Sequence, residues 1–268
     1  MPREAVYNAL VLRAGGSNSG ALGANQGANR EAWFLTSEEG ILRATVFGGA
    51  KSKLRSYASP FHSGKIWIYH NPVKDTRKLN DFDVQNWRAG LRELYERTMA
   101  AAAVCETILA SAGGGGDWAA ALSIAQETLD ALEHSGEPAC RHILLCFFFN
   151  WADFLGILPG LDFCGKCGKK DDFAAALWYD AREGEILCPS CKDASCVGGG
   201  EDPRQGSLLR LGPGCRRWFA AVRRLSPQIE LSKPASIAMD NKSSAEAKAF
   251  ACALIEGAVG RRLSSWDW

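Results

Sequence analysis

The 268-residue chain lacks most of the short signatures that announce an enzyme. There is no Walker lysine loop, no GxGxxG after a strand, no GxSxG elbow and no HExxH. Its four histidines, His62, His70, His134 and His142, show no mutual ligand spacing, and its acidic residues form no acid/base pair. Catalysis is therefore not expected. The start, "MPREAVYNALVLRAGG", has no basic-then-apolar pattern with a cleavage site. The most apolar run, "ILLCFFFNWADFLGIL", is broken by Asn150 and Asp153 and is too short for a membrane span. A central core helix and a cytoplasmic location are expected. Internal repeats are absent, and 23% charged residues argue against global disorder.

Net charge is also nearly absent, at +1, but its parts are not neutral. Residues 1–80 carry eleven basic and five acidic residues, an excess of six. Residues 81–163 carry four against twelve, and 164–268 carry sixteen against thirteen. A basic block beside an acidic one points to separate modules, the first able to attract a polyanion.

The first module reads as strands. "AVYNALVLRA", "KIWIYH" and "KLNDFDV" alternate, and "EAWFLTSEEGILRATVFGGA" holds two strands joined by a turn at Thr36–Gly40. Five strands without an intervening helix predict a small antiparallel barrel or sandwich. The Gly/Asn/Ala/Ser-rich stretch at 14–30 predicts a long flexible loop. Helical periodicity then covers 84–111, 117–136 and 137–160, with Asp117 as N-cap, and returns near 213–225 and from 243 to 263. The expected modules are 1–82 (barrel), 83–162 (helical), 163–195 (cysteine module) and 196–268 (helical again), an α+β multidomain chain.

Cys164-Gly-Lys-Cys167 and Cys188-Pro-Ser-Cys191 lie twenty residues apart, a zinc-ribbon spacing. Two intervening residues let both sulfurs of one turn reach one ion, and two such knuckles complete a tetrahedron. An all-thiolate site is closed and structural, with one Zn²⁺ the expected ion. The alternatives are a redox CxxC, which would stand alone after a strand and open a helix, and disulfides, which a reducing compartment disfavours. Cys196 is a spare thiol, and Cys105, Cys140, Cys146, Cys215 and Cys252 fall in helical patterns as small core residues.

"GGAKSKLR" follows the third strand. Lys51, Lys53 and Arg55 supply charge against phosphate and Ser52 a hydroxyl, with Arg43 and Lys65 on neighbouring strands. Phe47, Phe61, Trp67 and Tyr69 are candidates for base stacking, although at least two must fill the core. "CRRWFAAVRR" places Arg216, Arg217, Arg223 and Arg224 on a helix as a second strip for phosphate; a solvated helix face is the plainer alternative.

The order of these parts resembles the RecO family of bacterial DNA-repair and recombination mediators. The resemblance is carried by "TSEEG", "GGAKSKLRS", "SPF", "FLGILPGLDFC" and the paired CxxC. It implies an N-terminal OB-fold, a helical domain and an embedded zinc finger. It also implies non-enzymatic work. Such proteins bind single- and double-stranded DNA, anneal complementary strands, and with RecR help load RecA onto DNA coated by single-strand-binding protein. By carry-over, Lys51, Lys53 and Arg55 match the family's basic loop and the four cysteines its zinc ligands, while the helical region would take the acidic, apolar tail of single-strand-binding protein. The location implied is cytoplasmic and nucleoid-associated. Two features depart from the pattern: the long 14–30 stretch replaces a short charged turn, and the acidic middle suits a protein-facing role. A zinc-ribbon interaction scaffold and a CxxC thiol-redox enzyme remain the competing readings.

Overall fold

A computed structural model describes residues 3–16, 29–49, 51–111, 116–195, 208–225 and 239–266. By internal contacts the chain divides into two compact units, residues 1–140 with 265–268, and residues 141–264.

In the first unit, β1 (Arg3–Gly16), β2 (Arg30–Thr36), β3 (Gly40–Val46), β4 (Ser63–Asn71) and β5 (Thr76–Asn86) form a closed barrel in the order β1-β2-β3-β5-β4. The alternation expected of half-buried strands is present: Ala9, Val11, Ala32, Phe34, Leu42, Ala44, Ile66, Ile68 and Phe82 point inward and are almost fully buried. Two details differ from the sequence expectation. The barrel is not wholly antiparallel, because β3 and β5 close it through a parallel pairing at Thr45 and Lys78. A short helix, α1 (Lys53–Tyr57), also intervenes between β3 and β4. The 14–30 loop lies mostly outside the described residues, but its ends are strand, β1 running to Gly16 and β2 starting at Arg30.

The β2–β3 turn falls at Thr36–Gly40 as expected, and Thr36 Oγ1 donates to the Gly40 carbonyl at 2.9 Å. Gly40 has φ of +69°, and a Cβ there would sit 2.5 Å from the Trp118 ring. Gly40→Ala is expected to destabilise this unit by on the order of 2–4 kcal/mol, because strain and overlap add. A chemical-denaturation midpoint equal to wild type would contradict this.

The helix expected from residue 84 begins only at Tyr95, as α2 (Tyr95–Ala110). Residues 84–86 continue β5, Arg88 turns left-handed at φ 44°, and Ala89–Arg92 is a 3₁₀ turn. Arg88 is 3% exposed and holds this corner: Nε donates to Asp130 at 2.6 Å, and Nη1 donates to the Phe61 carbonyl and Ser63 Oγ. Asp130 lies on α3 (Trp118–Glu133), which Asp117 caps by accepting from the Ala120 N–H.

The second unit contains most of α4 (Glu137–Phe154), β6 (Leu177–Asp180), β7 (Glu185–Leu187), α5 (Pro189–Ser195), β8 (Leu208–Leu211), α6 (Pro213–Leu225) and α7 (Asn241–Val259). Its core is aromatic. Phe149 stacks on Phe219 at 4.7 Å and meets Trp218 edge-on, Phe219 meets Phe250, and Phe250 meets Tyr179. The apolar run of α4 is thereby explained as core. None of the described helices is long and apolar enough to cross a membrane. The division at residue 140 falls inside α4, so α2 and α3 group with the barrel, and the cysteine module groups with the later helices.

Candidate functional site

The four cysteines converge. Cys164 and Cys167 belong to the turn after Leu161; Cys188 follows β7 and Cys191 lies in the first turn of α5. The Sγ atoms of Cys164, Cys167, Cys188 and Cys191 all lie within 4.8 Å of one another. The Cys167–Cys188 sulfur separation is 3.8 Å. Sulfurs about 2.3 Å from a central ion in a tetrahedron are about 3.8 Å apart, so the cluster has the size for one thiolate-bound metal ion. The hairpin of β6 and β7 brings the knuckles together, with Trp178 opposite Leu187 and Asp180 opposite Glu185. β8 adds a third strand beside β6, which four residues of "LLRL" did not announce.

The backbone around Cys164 is set for a thiolate. Burial raises its pKa, but N–H groups of Cys167, Cys188 and Lys166 outweigh that and draw it down to about 6. Cys191 is pushed up to about 12, first by hydrogen bonding to Cys167 and Cys188. Without a cation the cluster thus favours ionisation of Cys164 and opposes that of Cys191. A divalent ion reverses that balance, since it favours ionisation of every ligand.

The second CxxC follows a strand and opens a helix, the local setting reserved above for redox chemistry. What decides against a lone redox pair is the first CxxC within bonding range of the same point. None of the nine described cysteines is disulfide-bonded, and Cys196 lies outside the described residues. Cys105 and Cys146 are buried, which pushes both thiols up to about 12, as core cysteines require.

The basic candidates separate into groups. Lys51 and Lys53 are exposed and Ser52 and Arg55 half-buried, all on or beside α1. Ser52 is the N-cap residue of α1, but its side chain makes no capping hydrogen bond. Arg30 of β2 is near Arg55: its pKa is lowered by burial and then by the Arg55 charge. Arg43 is exposed on β3 and pairs with Glu31. Lys65 lies apart on β4, opposite Asp83 of β5, and its neighbour Trp67 lies opposite Asp81, so that side of the barrel carries acids. Of the aromatic candidates, Phe61 is 7% exposed and Phe47 42%, with Trp67 and Tyr69 half-buried.

The α6 strip does not survive as drawn. Arg217 is exposed, but Arg216 is 2% exposed and points into the core of its unit. It pairs with Asp171 and donates to the carbonyls of Ala175 and Leu211. The side chains of Arg223 and Arg224 lie outside the described residues.

The comparisons with known proteins bear on this arrangement. A family model described as "Recombination protein O C terminal" matches residues 92–267. The chain belongs to the RecO family. A curated relative from Syntrophomonas wolfei, DNA repair protein RecO, is 29% identical over 157 residues, covering 57% of this chain and 59% of that protein. One from Maridesulfovibrio salexigens, of the same name, is 26% identical over 209 residues, covering 76% and 79%. A third, DNA repair protein RecO of Pelobacter propionicus, is 30% identical over 122 residues, 46% of each chain. The chain thus covers less than two thirds of the first and third of these RecO proteins.

The RecO family model takes in the cysteine cluster but not the barrel, so the barrel surface stands on its own geometry. There, sequence reading of this RecO-family chain missed Arg13, Trp33, Arg30 and Lys78. Arg13 and Arg43 flank the Trp33 ring, at 5.2 and 5.4 Å from its centroid, and Lys78 Nζ is 4.8 Å from the Phe47 centroid. Alternation could have marked Trp33 and Lys78, which stand next to inward residues. It could not have marked Arg13, which shares the parity of the inward Ala9 and Val11 and is turned outward by the irregularity between Val11 and Arg13, nor Arg30, which shares the parity of Ala32 and Phe34.

Proposed function

We propose that this chain is a DNA-repair and recombination mediator. It binds single- and double-stranded DNA, anneals complementary strands, and with RecR helps load RecA onto DNA coated by single-strand-binding protein, in the bacterial cytoplasm at the nucleoid. The observation that supports the reading is the closed five-stranded barrel, with Arg13 and Arg43 exposed on β1 and β3, and Lys51, Lys53 and Arg55 on the segment that follows β3, where Arg55 lies near Arg30 of β2. The strand order β1-β2-β3-β5-β4 supports an OB-fold, a frame used for nucleic-acid strands.

The work is physical and needs no catalytic group. Cations on the barrel neutralise phosphate repulsion between two strands, which lowers the cost of bringing them together and makes binding weaken steeply with salt. Cys164, Cys167, Cys188 and Cys191 would hold one Zn²⁺, which when bound supplies a cross-link between the two knuckles. The acidic segment 81–163 suits protein partners better than DNA.

The test is a titration of a labelled single strand across a salt series, with a strand-annealing assay run with and without single-strand-binding protein. Lys51, Lys53 and Arg55 changed together to Ala should weaken binding and flatten the log–log salt slope by about 2. An unchanged affinity and slope removes those residues from the DNA site. A wild-type chain that shows no salt-dependent binding and no annealing favours the interaction-scaffold reading instead.

A further inference from the structure

The outer face of the barrel carries a row that crosses three strands. Arg13 of β1 is the register partner of Trp33 of β2, and Trp33 is the register partner of Arg43 of β3. The two guanidiniums therefore approach the indole from opposite sides of β2, at 5.2 and 5.4 Å from its centroid. Ala32 and Phe34, on either side of Trp33, are both fully buried in the barrel core, so Trp33 stands on the opposite, outer face of β2. A half-exposed Trp held between two Arg side chains keeps all three in narrow conformations, so little entropy remains to be lost on binding.

The charge pattern singles out this side of the barrel. Arg43 is balanced in part by Glu31, but Arg13 has no carboxylate partner among the described residues. Arg30 and Arg55 lie close enough for the second charge to depress the pKa of the first, after burial, an arrangement that an anion relieves. On the opposite side, Asp81 and Asp83 face Trp67 and Lys65 across the β4–β5 pairing. Four residues on from Arg43, just past the end of β3, the exposed Phe47 ring meets Lys78. The cationic side thus repeats one device, an aromatic ring beside a cation, at two points along its length.

We propose that Trp33 is a base-stacking residue and that the Arg13–Trp33–Arg43 row makes this face selective for single-stranded nucleic acid. The assignment rests on the DNA-binding reading above and names the part of that surface that tells one form of nucleic acid from another. In a duplex the faces of the bases are already stacked on one another, so a flat indole–guanidinium row finds only phosphate and sugar. In a single strand an unstacked base lies against the indole or against the outer plane of either guanidinium, and the guanidinium N–H groups reach the adjoining phosphates. Phe47 with Lys78 offers the second station for a strand that runs along β3. The plainer role of such a row is a cross-strand contact that stabilises the sheet, and it predicts no difference between single strand and duplex.

The experiment compares wild type, Trp33→Ala, Trp33→Phe and Arg13→Gln for binding to a labelled oligothymidylate and to a duplex of equal length, across a salt series. Trp33→Ala should weaken oligothymidylate binding about tenfold and leave duplex binding within about twofold. Trp33→Phe should recover most of the loss, and Arg13→Gln should flatten the single-strand salt slope by about 0.7. Equal losses on both substrates, no loss at all, or a failure of Trp33→Phe to recover would overturn the assignment. Where Trp33→Ala does not fold, photocrosslinking of wild type to an iodouracil-substituted single strand decides: the crosslink should fall in the peptide from Glu31 to Arg43, whose one Trp is Trp33. A crosslink confined to other peptides overturns it. Wild type that binds oligothymidylate while Trp33→Ala matches it sinks only the stacking assignment, whereas wild type that binds neither substrate sinks the DNA reading itself.

Discussion

Cys188→Ser should unfold the 141–264 unit, and a strong chelator should do the same to wild type. Cys188 is 5% exposed, its N–H points at Cys164 Sγ at 3.4 Å, and its own sulfur is 3.8 Å from that of Cys167. One substitution therefore removes a ligand and leaves three cysteines arranged around a weaker site. Structural thiolate sites supply on the order of 10–16 kcal/mol of apparent binding free energy, as much as the whole net stability of a typical domain, about 5–15 kcal/mol. The β6–β7 hairpin has only three paired positions, and the segment from Leu161 to Ala176 contains no strand longer than one bridge. Apart from a bound ion, the first knuckle is tied by the Gly165 N–H to the Ile186 carbonyl and the chain beyond it by the Arg216–Asp171 pair, and neither replaces a cross-link among all four sulfurs. The expected result is loss of the cooperative transition of this unit, one metal equivalent per wild-type chain by elemental analysis, and recovery of the fold on adding Zn²⁺ to chelated wild type. A chelated chain that keeps its melting profile would mean that the aromatic core alone suffices.

The cysteine site was readable because its information is local. Two CxxC pairs at a ribbon spacing pick out which four cysteines come together and how close their turns must be, whatever the rest of the chain does. The barrel was readable for a similar reason, since alternation reports inward and outward positions strand by strand. The Arg13–Trp33–Arg43 row was not. It depends on register between strands that are separated in sequence by the 14–30 stretch, and no local pattern sets that register. The same holds for residues 84–94. Their apolar spacing matches a helix, yet β5 continues through Asn86 because it pairs with β4, and Arg88 then turns the chain to reach Asp130 and the Phe61 carbonyl. Tertiary pairing decided between two periodicities that eleven residues cannot separate.

Arg216 is the sharpest instance of that limit, and it carries the second large prediction. In sequence it is one of four arginines on a basic helix; in the fold it is a core residue. Its side chain is 1% exposed and that of its partner Asp171 3%, so neither charge is solvated. All of its donor groups are engaged, Nε and Nη2 with the Leu211 and Ala175 carbonyls and Nη1 with Asp171, while the guanidinium lies 5.4 Å from the Phe173 centroid. Asp171 in turn accepts from the Phe173 N–H at 3.0 Å, which fixes a non-glycine residue at φ of 56°. Arg216→Met therefore strands a buried carboxylate and frees that turn, at a cost of about 3–5 kcal/mol. Arg216→Lys should recover only part, since one ammonium cannot serve three acceptors spread around a planar fork. Changing both partners, Arg216→Met with Asp171→Leu, should be milder than Arg216→Met alone, because no charge is then left unpaired. Arg217→Ala, one position along and exposed, should leave stability within about 0.5 kcal/mol. Denaturation midpoints of the four variants check the ordering. If Arg217→Ala were to cost more than Arg216→Met, the helix would be presenting its other face to the core.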